Sequence, residues 1–153
     1  MLARERQLTL VALAARAPSP HNIQPARWRF DGDIVELWED TRRWLAVGDP
    51  TGRDNRIALG MAWEGMAIAL SNLDFALQLD TSITLDYPPR KLGHRRAACG
   101  VLRKIAARDS LLPALERRAS YRGRFAQARS SQLETLDSCI VEHANLAVAL
   151  PAT

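Results

Sequence analysis

The strongest pattern in the sequence is an apolar stretch from residue 57 to residue 70, in which Glu64 is the only charge. Apolar residues follow steps of four and three along one helical face: Leu59, Trp63, Met66, Leu70 and Leu73. Because the other faces are also apolar, at Ile57 and Met61, we predict a core helix that is buried on nearly all sides. Asp54 or Asn55 is its predicted N-cap. The stretch is shorter than the about 20 apolar residues that span a bilayer, so no membrane helix is predicted.

Apolar and polar residues alternate in several other segments, which predicts strands. Six odd-numbered positions of residues 75–87 are apolar or aromatic: Phe75, Leu77, Leu79, Ile83, Leu85 and Tyr87. Residues 28–30 and 34–38 are predicted to form a β-hairpin, because Asp31-Gly32-Asp33 tolerates the positive φ of a tight turn. Residues 97–102 are a further predicted strand. Three more helices are predicted, at residues 4–15, at residues 111–118, and from the capping box of Ser131 and Glu134 to about residue 142.

A polar, proline-rich segment lies between the first helix and the hairpin. Residues 17–28 contain three prolines, which fix φ and prevent the helix from continuing. Four hydrogen-bonding side chains stand on this stiff loop: Ser19, His21, Asn22 and Gln24. Such a rigid polar loop is typical of a functional site. The alternative is that Asn22 and Gln24 only satisfy backbone groups of the loop.

A second polar segment, residues 117–125, is rich in arginine. Four guanidinium groups and one hydroxyl lie close together in sequence, at Arg117, Arg118, Ser120, Arg122 and Arg124. Guanidinium groups bind phosphate with paired hydrogen bonds, so this segment is a candidate phosphate site. The alternative is a solvated basic helix end that complements the helix dipole.

Composition excludes several other classes of protein. Hydrophobic residues make up 47% and charged residues 25% of the 153 positions, as in ordinary globular proteins, and the net charge of +4 is only mildly basic. Cys99 and Cys139 lie outside any metal-binding or disulfide pattern, which favours reduced thiols in a cytoplasmic protein. Aromatic residues do not interleave with the basic ones beyond Tyr121 and Phe125, so no nucleic-acid partner is predicted. No metal site is predicted either.

Both polar segments carry motifs that resemble those of a known family. Ala17-Pro18-Ser19-x-x-Asn22-x-Gln24-Pro25, followed by Trp28, resembles the loop that nitroreductase-type flavoproteins place against their flavin. Arg118-x-Ser120-x-Arg122, with Arg117 beside it, resembles the segment that holds the FMN phosphate in that family. Because the loop precedes the arginine motif, the sequence is most similar to the Acg-like branch, in which two nitroreductase-like halves share one longer chain.

The resemblance implies a fold and a division of the chain. The expected fold is α+β, with an antiparallel-rich sheet flanked by helices, a central buried helix and an interlocked dimer. Residues 1–112 would be a first nitroreductase-like half-domain, and residues 113–153 the start of a second half, either truncated or short by nature; the alternative is that the chain behaves as one domain. A homodimer or a second half-domain is the expected partner.

The resemblance also implies a function. FMN would be bound by residues of both motifs: Pro18, Ser19, Asn22, Gln24, Arg117, Arg118, Ser120 and Arg122. No catalytic dyad or triad is evident, which suits an oxidoreductase whose flavin performs the chemistry. NAD(P)H would be the transient reductant, and a nitroaromatic or quinone the electron-poor acceptor. The alternative is a non-catalytic, Acg-like protein that sequesters FMN.

Overall fold

A computed structural model of the chain describes residues 2–80, 87–120, 123–124 and 130–131. Its helices and strands, in chain order, are α1 (Arg4–Ala14), β1 (Ala26–Asp31), β2 (Ile34–Asp40), α2 (Arg53–Ser71), β3 (Phe75–Asp80), β4 (His94–Lys104) and α3 (Leu112–Arg117). Two 3-10 turns, Pro20–Asn22 and Thr41–Arg43, flank the hairpin of β1 and β2. The chain divides into two units, residues 1–120 and 121–153, and all of the helices and strands named above lie in the first.

The four strands form one antiparallel sheet in the order β1-β2-β4-β3. The predicted hairpin is confirmed, and Gly32 at its turn has a φ of 59°. A bulge after Leu37 shifts the register between β2 and β4, so that Leu37 pairs with Ala98 while Trp38 pairs with Arg96. Helices and an antiparallel sheet in one unit confirm the predicted α+β class.

The core lies between one face of the sheet and the helices α1 and α2. Side chains alternate along each strand, so one face carries the core residues Trp28, Phe30, Val35, Leu77 and Leu102. These pack with Leu10 and Ala14 of α1 and with Met66 and Leu70 of α2. Trp28 stacks on Trp63 of α2 with ring centroids 6.1 Å apart. The sheet therefore has an inner, apolar face and an outer, polar face.

Two predictions about α2 are wrong. The helix begins at Arg53 after Gly52, which is in the left-handed conformation, and neither Asp54 nor Asn55 is the N-cap. The helix is also buried on one side only, since Ile57 is 48% and Met61 37% exposed. Periodicity could not reveal this, because an exposed apolar stripe has the same spacing as a buried one.

The remaining predicted elements agree with the structure where it describes them. The strand from Phe75 is present to Asp80, and residues 81–86 lie outside the described residues. The strand at 97–102 is the centre of the longer β4, and α3 falls inside the predicted helix at 111–118. The helix expected after Ser131 lies outside the described residues. Within the described ranges, no helix is long and apolar enough to cross a membrane.

We predict that Gly52→Ala destabilises the fold. Gly52 has a φ of 65°, and a Cβ there would collide with the ring of Tyr87. The left-handed conformation alone costs a side chain about 1–2 kcal/mol, and the collision adds to it. Chemical denaturation of both proteins measures the difference in the free energy of unfolding.

Gly60→Ala is the matched control for Gly52→Ala. Gly60 lies in α2, and a Cβ there would meet no atom within 4 Å. Because alanine favours helix over glycine by about 0.5–1 kcal/mol, this variant is expected to be as stable as the parent or more so. A Gly52→Ala protein of unchanged stability would contradict the described packing of Tyr87.

Candidate functional site

The proline loop, residues 17–25, has an unusual backbone. His21, Asn22 and Gln24 have φ values of 48°, 58° and 49°. Among the described residues, Asp74 is the only other non-glycine residue with positive φ. Such conformations are costly and concentrate at functional sites. The loop is therefore both rigid and strained, which the prolines alone did not predict.

Hydrogen bonds hold this backbone in place from inside the loop and from the sheet. The backbone N–H of Gln24 donates to Ser19 Oγ over 3.0 Å, and the backbone N–H of Asn22 donates to the Ser19 carbonyl over 2.9 Å. Arg27 Nη1 donates to the Gln24 carbonyl over 2.9 Å, and Arg43 Nη1 donates to the Ile23 carbonyl over 2.8 Å. The loop thus depends on two arginines that lie outside it in sequence.

The structure places Pro18, Ser19, Asn22 and Gln24 together on this loop. Asn22 is exposed and the other three are half-buried. Gln24 Nε2 donates to Asn22 Oδ1 over 2.9 Å. The other two side-chain amide atoms of this pair, Asn22 Nδ2 and Gln24 Oε1, have no hydrogen-bond partner within the described part of the chain. Ser19, in contrast, uses its hydroxyl oxygen to support the loop backbone.

A small cavity lies beneath the loop. Pro18, Ser19, Gln24 and Trp28 line it together with small residues of α1 and α2. Its volume of about 40 Å³ is far below the 300–1,000 Å³ typical of cofactor pockets. This cavity is therefore too small to hold a flavin ring.

A cluster of cations surrounds Asp40 beside the loop. We define the Asp40 cluster as Asp40, Arg27, Arg42, Arg43 and His94. Arg42 Nε lies 2.7 Å and Arg27 Nη2 3.2 Å from the carboxylate, while Arg43 Nε and His94 Nε2 lie 3.6 and 3.8 Å away. The hydrogen bond from Arg42 lowers the pKa of Asp40 to about 2, against the opposing effect of burial. Asp40 is thus a buried, ionised carboxylate.

Sequence reasoning missed the Asp40 cluster. Its members come from β1, β2, the 3-10 turn Thr41–Arg43 and the first residue of β4. Asp40 and His94 become neighbours only through the register of β2 and β4. The one local signal of the cluster in the sequence is Asp40 followed closely by Arg42 and Arg43.

A second polar network is buried on the inner face of the sheet. Glu39 Oε1 accepts hydrogen bonds from Asn55 Nδ2 over 2.6 Å and from the Tyr87 hydroxyl over 2.8 Å, and Glu39 Oε2 accepts from Arg95 Nε over 2.6 Å. Asp49 Oδ2 accepts from the Asn55 amide over 2.9 Å. Burial raises the pKa of Tyr87. This network joins β2, β4 and the start of α2, and its central carboxylate, Glu39, is fully buried.

The arginine segment has contacts of its own. Arg117 Nε donates to the Pro113 carbonyl over 3.1 Å, and Arg118 Nη1 donates to Ser120 Oγ over 3.3 Å. Within the described ranges, no hydrogen bond or ion pair joins Arg117, Arg118 or Ser120 to the proline loop. Arg122 lies outside the described residues.

Helix α2 supports the elements that carry both motifs. A Cβ at Gly65 would lie 3.4 Å from Ala14 Cα, near the end of α1, and 3.6 Å from Leu115 Cδ1 in α3. The loop begins three residues after Ala14, and Arg117 lies two residues after Leu115. Because Gly65 lacks a side chain, both elements approach α2 closely at this position.

A larger cleft lies at the other end of α1. Its volume is about 520 Å³, and it is lined by Leu2, Arg6, Asp33, Phe75, Lys104 and Arg108, among others. The 11 residues of α1 separate its two ends by roughly 16 Å, so the cleft is distant from the proline loop. Among the described residues, no group of acidic, histidine or cysteine side chains is arranged to hold a metal ion.

Comparison with known proteins gives partial matches to nitroreductases. The chain is 36% identical over 72 residues to the protein named Putative NAD(P)H nitroreductase Rv3131 of Mycobacterium tuberculosis. The aligned stretch covers 47% of this chain and 21% of that relative. The chain is 38% identical over 61 residues to Putative NAD(P)H nitroreductase acg of the same organism, 40% of this chain and 18% of that one. These matches thus span only about a fifth of each relative. No protein-family model matches.

One solved structure shares the fold. It is described as a putative nitroreductase from Desulfovibrio desulfuricans in complex with FMN. The similarity covers 79% of this chain and 87% of that chain, with a TM-score of 0.50 and 14% sequence identity. At this identity the match concerns the fold, and it agrees with the nitroreductase-like architecture expected from the sequence.

We predict that Asp40→Asn lowers the free energy of unfolding at pH 7 by roughly 2 kcal/mol, the order expected for lost charge-assisted hydrogen bonds. Because the pKa of folded Asp40 is depressed to about 2, its stabilising contribution is complete above about pH 4 and is lost as the pH falls towards 2. The difference between parent and variant should therefore shrink over that interval in urea denaturation.

Asp31→Asn is the control for this pH dependence. Asp31 also faces an arginine, with Arg29 Nη2 3.3 Å away, but its side chain is 66% exposed. An exposed pair contributes little, so this variant should follow the parent at every pH. Equal pH profiles for Asp40→Asn and the parent would show that the Asp40 cluster does not stabilise the fold.

Proposed function

We propose that this chain, which belongs to the nitroreductase family, supplies one wall of an FMN site in an NAD(P)H-dependent oxidoreductase. The electron acceptor would be a small electron-poor compound such as a nitroaromatic or a quinone. The observation that carries the proposal is the strained proline loop, where three left-handed non-glycine residues fall within four positions. Strain of this kind persists only where the surrounding contacts enforce it, and it is concentrated at ligand sites.

The side chains on the loop suit the polar edge of a flavin ring. That edge alternates hydrogen-bond donors and acceptors, and the linked pair of Asn22 and Gln24 would offer it one amide nitrogen and one carbonyl oxygen. Pro18 and the fixed backbone would form an apolar, preorganised contact beside them. Ser19 would act mainly through its hydroxyl oxygen, which accepts a hydrogen bond from the backbone N–H of Gln24. These residues would bind and orient FMN.

The arginine segment would bind the flavin phosphate. Arg117, Arg118, Ser120 and Arg122 offer guanidinium and hydroxyl donors, which suit a phosphate group. Arg118 and Ser120 already contact each other, so these two would act together. When bound, FMN supplies the electron-transfer chemistry, and the protein's part is binding and orientation.

A second wall must come from elsewhere. The cavity under the loop holds only about 40 Å³, so FMN would lie on the outer surface of the loop and need cover from another element. A second copy of the chain, or the rest of a longer one, would provide it. The exposed apolar residues Ile57 and Met61 of α2 support a homodimer or a second half-domain as the partner.

The alternative function is storage of FMN without turnover. Both functions use the same loop, so they differ only in whether NAD(P)H reduces the bound flavin. Anaerobic addition of NADH or NADPH to the FMN-loaded protein separates them. Loss of the flavin absorption supports the oxidoreductase, whereas an unchanged spectrum supports storage.

We predict that Asn22→Ala and Gln24→Ala each weaken FMN binding by about tenfold, the effect of roughly one lost hydrogen bond of 1.4 kcal/mol. Quenching of FMN fluorescence during titration with protein measures the dissociation constant. The parent chain should retain FMN through gel filtration.

Gln78→Ala is the matched control, because Gln78 is an exposed amide on β3. It should bind FMN as the parent does. If the parent binds no FMN, the proposed function is wrong for this chain. If it binds FMN and both loop variants bind equally well, the site lies elsewhere.

A further inference from the structure

The Asp40 cluster carries more positive charge than its own carboxylate can neutralise. Three guanidinium groups, which stay protonated at any physiological pH, surround one carboxylate. The cluster therefore has an excess of two positive charges even when His94 is neutral.

Neighbouring acids do not remove this excess. Glu39 points to the opposite face of the sheet, where Asn55, Tyr87 and Arg95 bind its carboxylate. Glu36 lies on the same face as Asp40, but its carboxylate is occupied by Arg29, Arg96 and the Trp38 indole. The cationic excess thus belongs to the Asp40 cluster itself.

The cations of the cluster are open to solvent although its anion is not. The side chain of Asp40 is 4% exposed, whereas those of Arg42, Arg43 and His94 are 58%, 48% and 47% exposed. Asp40 thus lies under a layer of half-exposed donors. An anion arriving from solvent would meet these donors before the carboxylate.

The hydrogen bonds to Asp40 leave donors available. Arg42 and Arg27 occupy the two carboxylate oxygens at 2.7 to 3.4 Å. Arg43 Nε at 3.6 Å and His94 Nε2 at 3.8 Å lie beyond hydrogen-bonding distance of Asp40. Arg42 Nη2 also lies 3.2 Å from His94 Nε2. Because a guanidinium group can only donate, His94 Nε2 accepts this hydrogen bond, and Nδ1 is the ring nitrogen of His94 that remains for a ligand. A group with three acceptor oxygens could bind Arg42, Arg43 and His94 together.

Support of the loop does not account for the whole cluster. Arg27 and Arg43 donate to loop carbonyls, and the Asp40 amide donates to the Pro25 carbonyl over 2.8 Å. Arg42 and His94 have no recorded hydrogen bond to the loop in the described ranges. They add cationic and hydrogen-bonding surface directly beside it.

We propose that Arg42, Arg43 and His94 form a binding site for a phosphate group of a nucleotide. A phosphate carries nearly two negative charges, which matches the excess of the cluster, and guanidinium groups bind it with paired hydrogen bonds. Because Arg43 also holds the Ile23 carbonyl, this phosphate site adjoins the proline loop. The inference rests on the proposed function only for the choice of nucleotide, either a nicotinamide dinucleotide or, in place of the arginine segment, FMN.

The first test uses inorganic pyrophosphate with the full chain, measured by calorimetry at low ionic strength. Arg42→Gln and Arg43→Gln should each weaken binding by about tenfold. Arg29→Gln is the matched control, because Arg29 lies on the same face of the sheet but pairs with Asp31 and Glu36 outside the cluster. It should change the affinity by less than about twofold.

Arg42→Gln is expected to weaken the pairing of the buried Asp40, and Arg43→Gln to disturb the loop, so a second measurement avoids relying on substitution. Imidazole resonances of the folded parent protein are followed by NMR during the same titration, with His94 assigned through His94→Gln. Pyrophosphate should shift the His94 resonances with the affinity found by calorimetry. No saturable binding, or binding that leaves either the His94 resonances or the Arg42→Gln affinity unchanged, overturns the proposal.

Titration with NADPH, NADH and FMN then identifies the source of the phosphate. If Arg42→Gln weakens NADPH or NADH binding and spares FMN, the site serves the reductant, and the opposite pattern assigns it to the flavin. FMN binding without any pyrophosphate binding overturns this site and leaves the proposed function intact. Pyrophosphate binding without FMN binding supports this phosphate site and overturns the proposed function.

Discussion

The ion pairs of Asp40 are the interaction on which the proline loop depends. A carboxylate buried at the end of β2 must be paired, and Arg27 and Arg42 bind it directly. Arg27 also donates a hydrogen bond to the backbone carbonyl of Gln24, and Arg43 donates one to the backbone carbonyl of Ile23. The left-handed residues of the loop are held in place from the sheet through these arginines. A single charged residue therefore couples the fold to the candidate site.

The same arrangement explains how a strained loop remains stable. Each non-glycine residue with positive φ lowers the stability of the fold by of order 1–3 kcal/mol. Contacts from the surrounding structure must offset this conformational cost. Ser19 contributes one hydrogen bond from inside, and the arginines contribute charge-assisted donors from outside. Helix α2 adds packing beneath, through Trp63 against Trp28 and through the close approach at Gly65. These contacts hold Asn22 and Gln24 in their left-handed backbone conformations.

Local sequence signals predicted the elements but not their long-range contacts. The Asp-Gly turn predicted the hairpin, alternation predicted the start of β3, and the prolines predicted a rigid loop. The Asp40 cluster could not be predicted, because His94 reaches Asp40 only through strand register. The exposed side of α2 was also missed, since helical periodicity does not say which face has a partner. The FMN-binding roles of the loop and of the arginine segment stay predictions.

The most direct test of this account is to map FMN binding onto the backbone. Amide resonances of the isotope-labelled chain are assigned and followed by NMR during titration with FMN. If the proline loop contacts the flavin, the largest shifts occur at the amides of Ser19, Asn22 and Gln24, and these resonances move in a single saturable process. Shifts confined to the distant cleft beside Arg6 and Lys104, or no saturable shifts at all, would contradict the claim that the proline loop is the flavin-contacting surface.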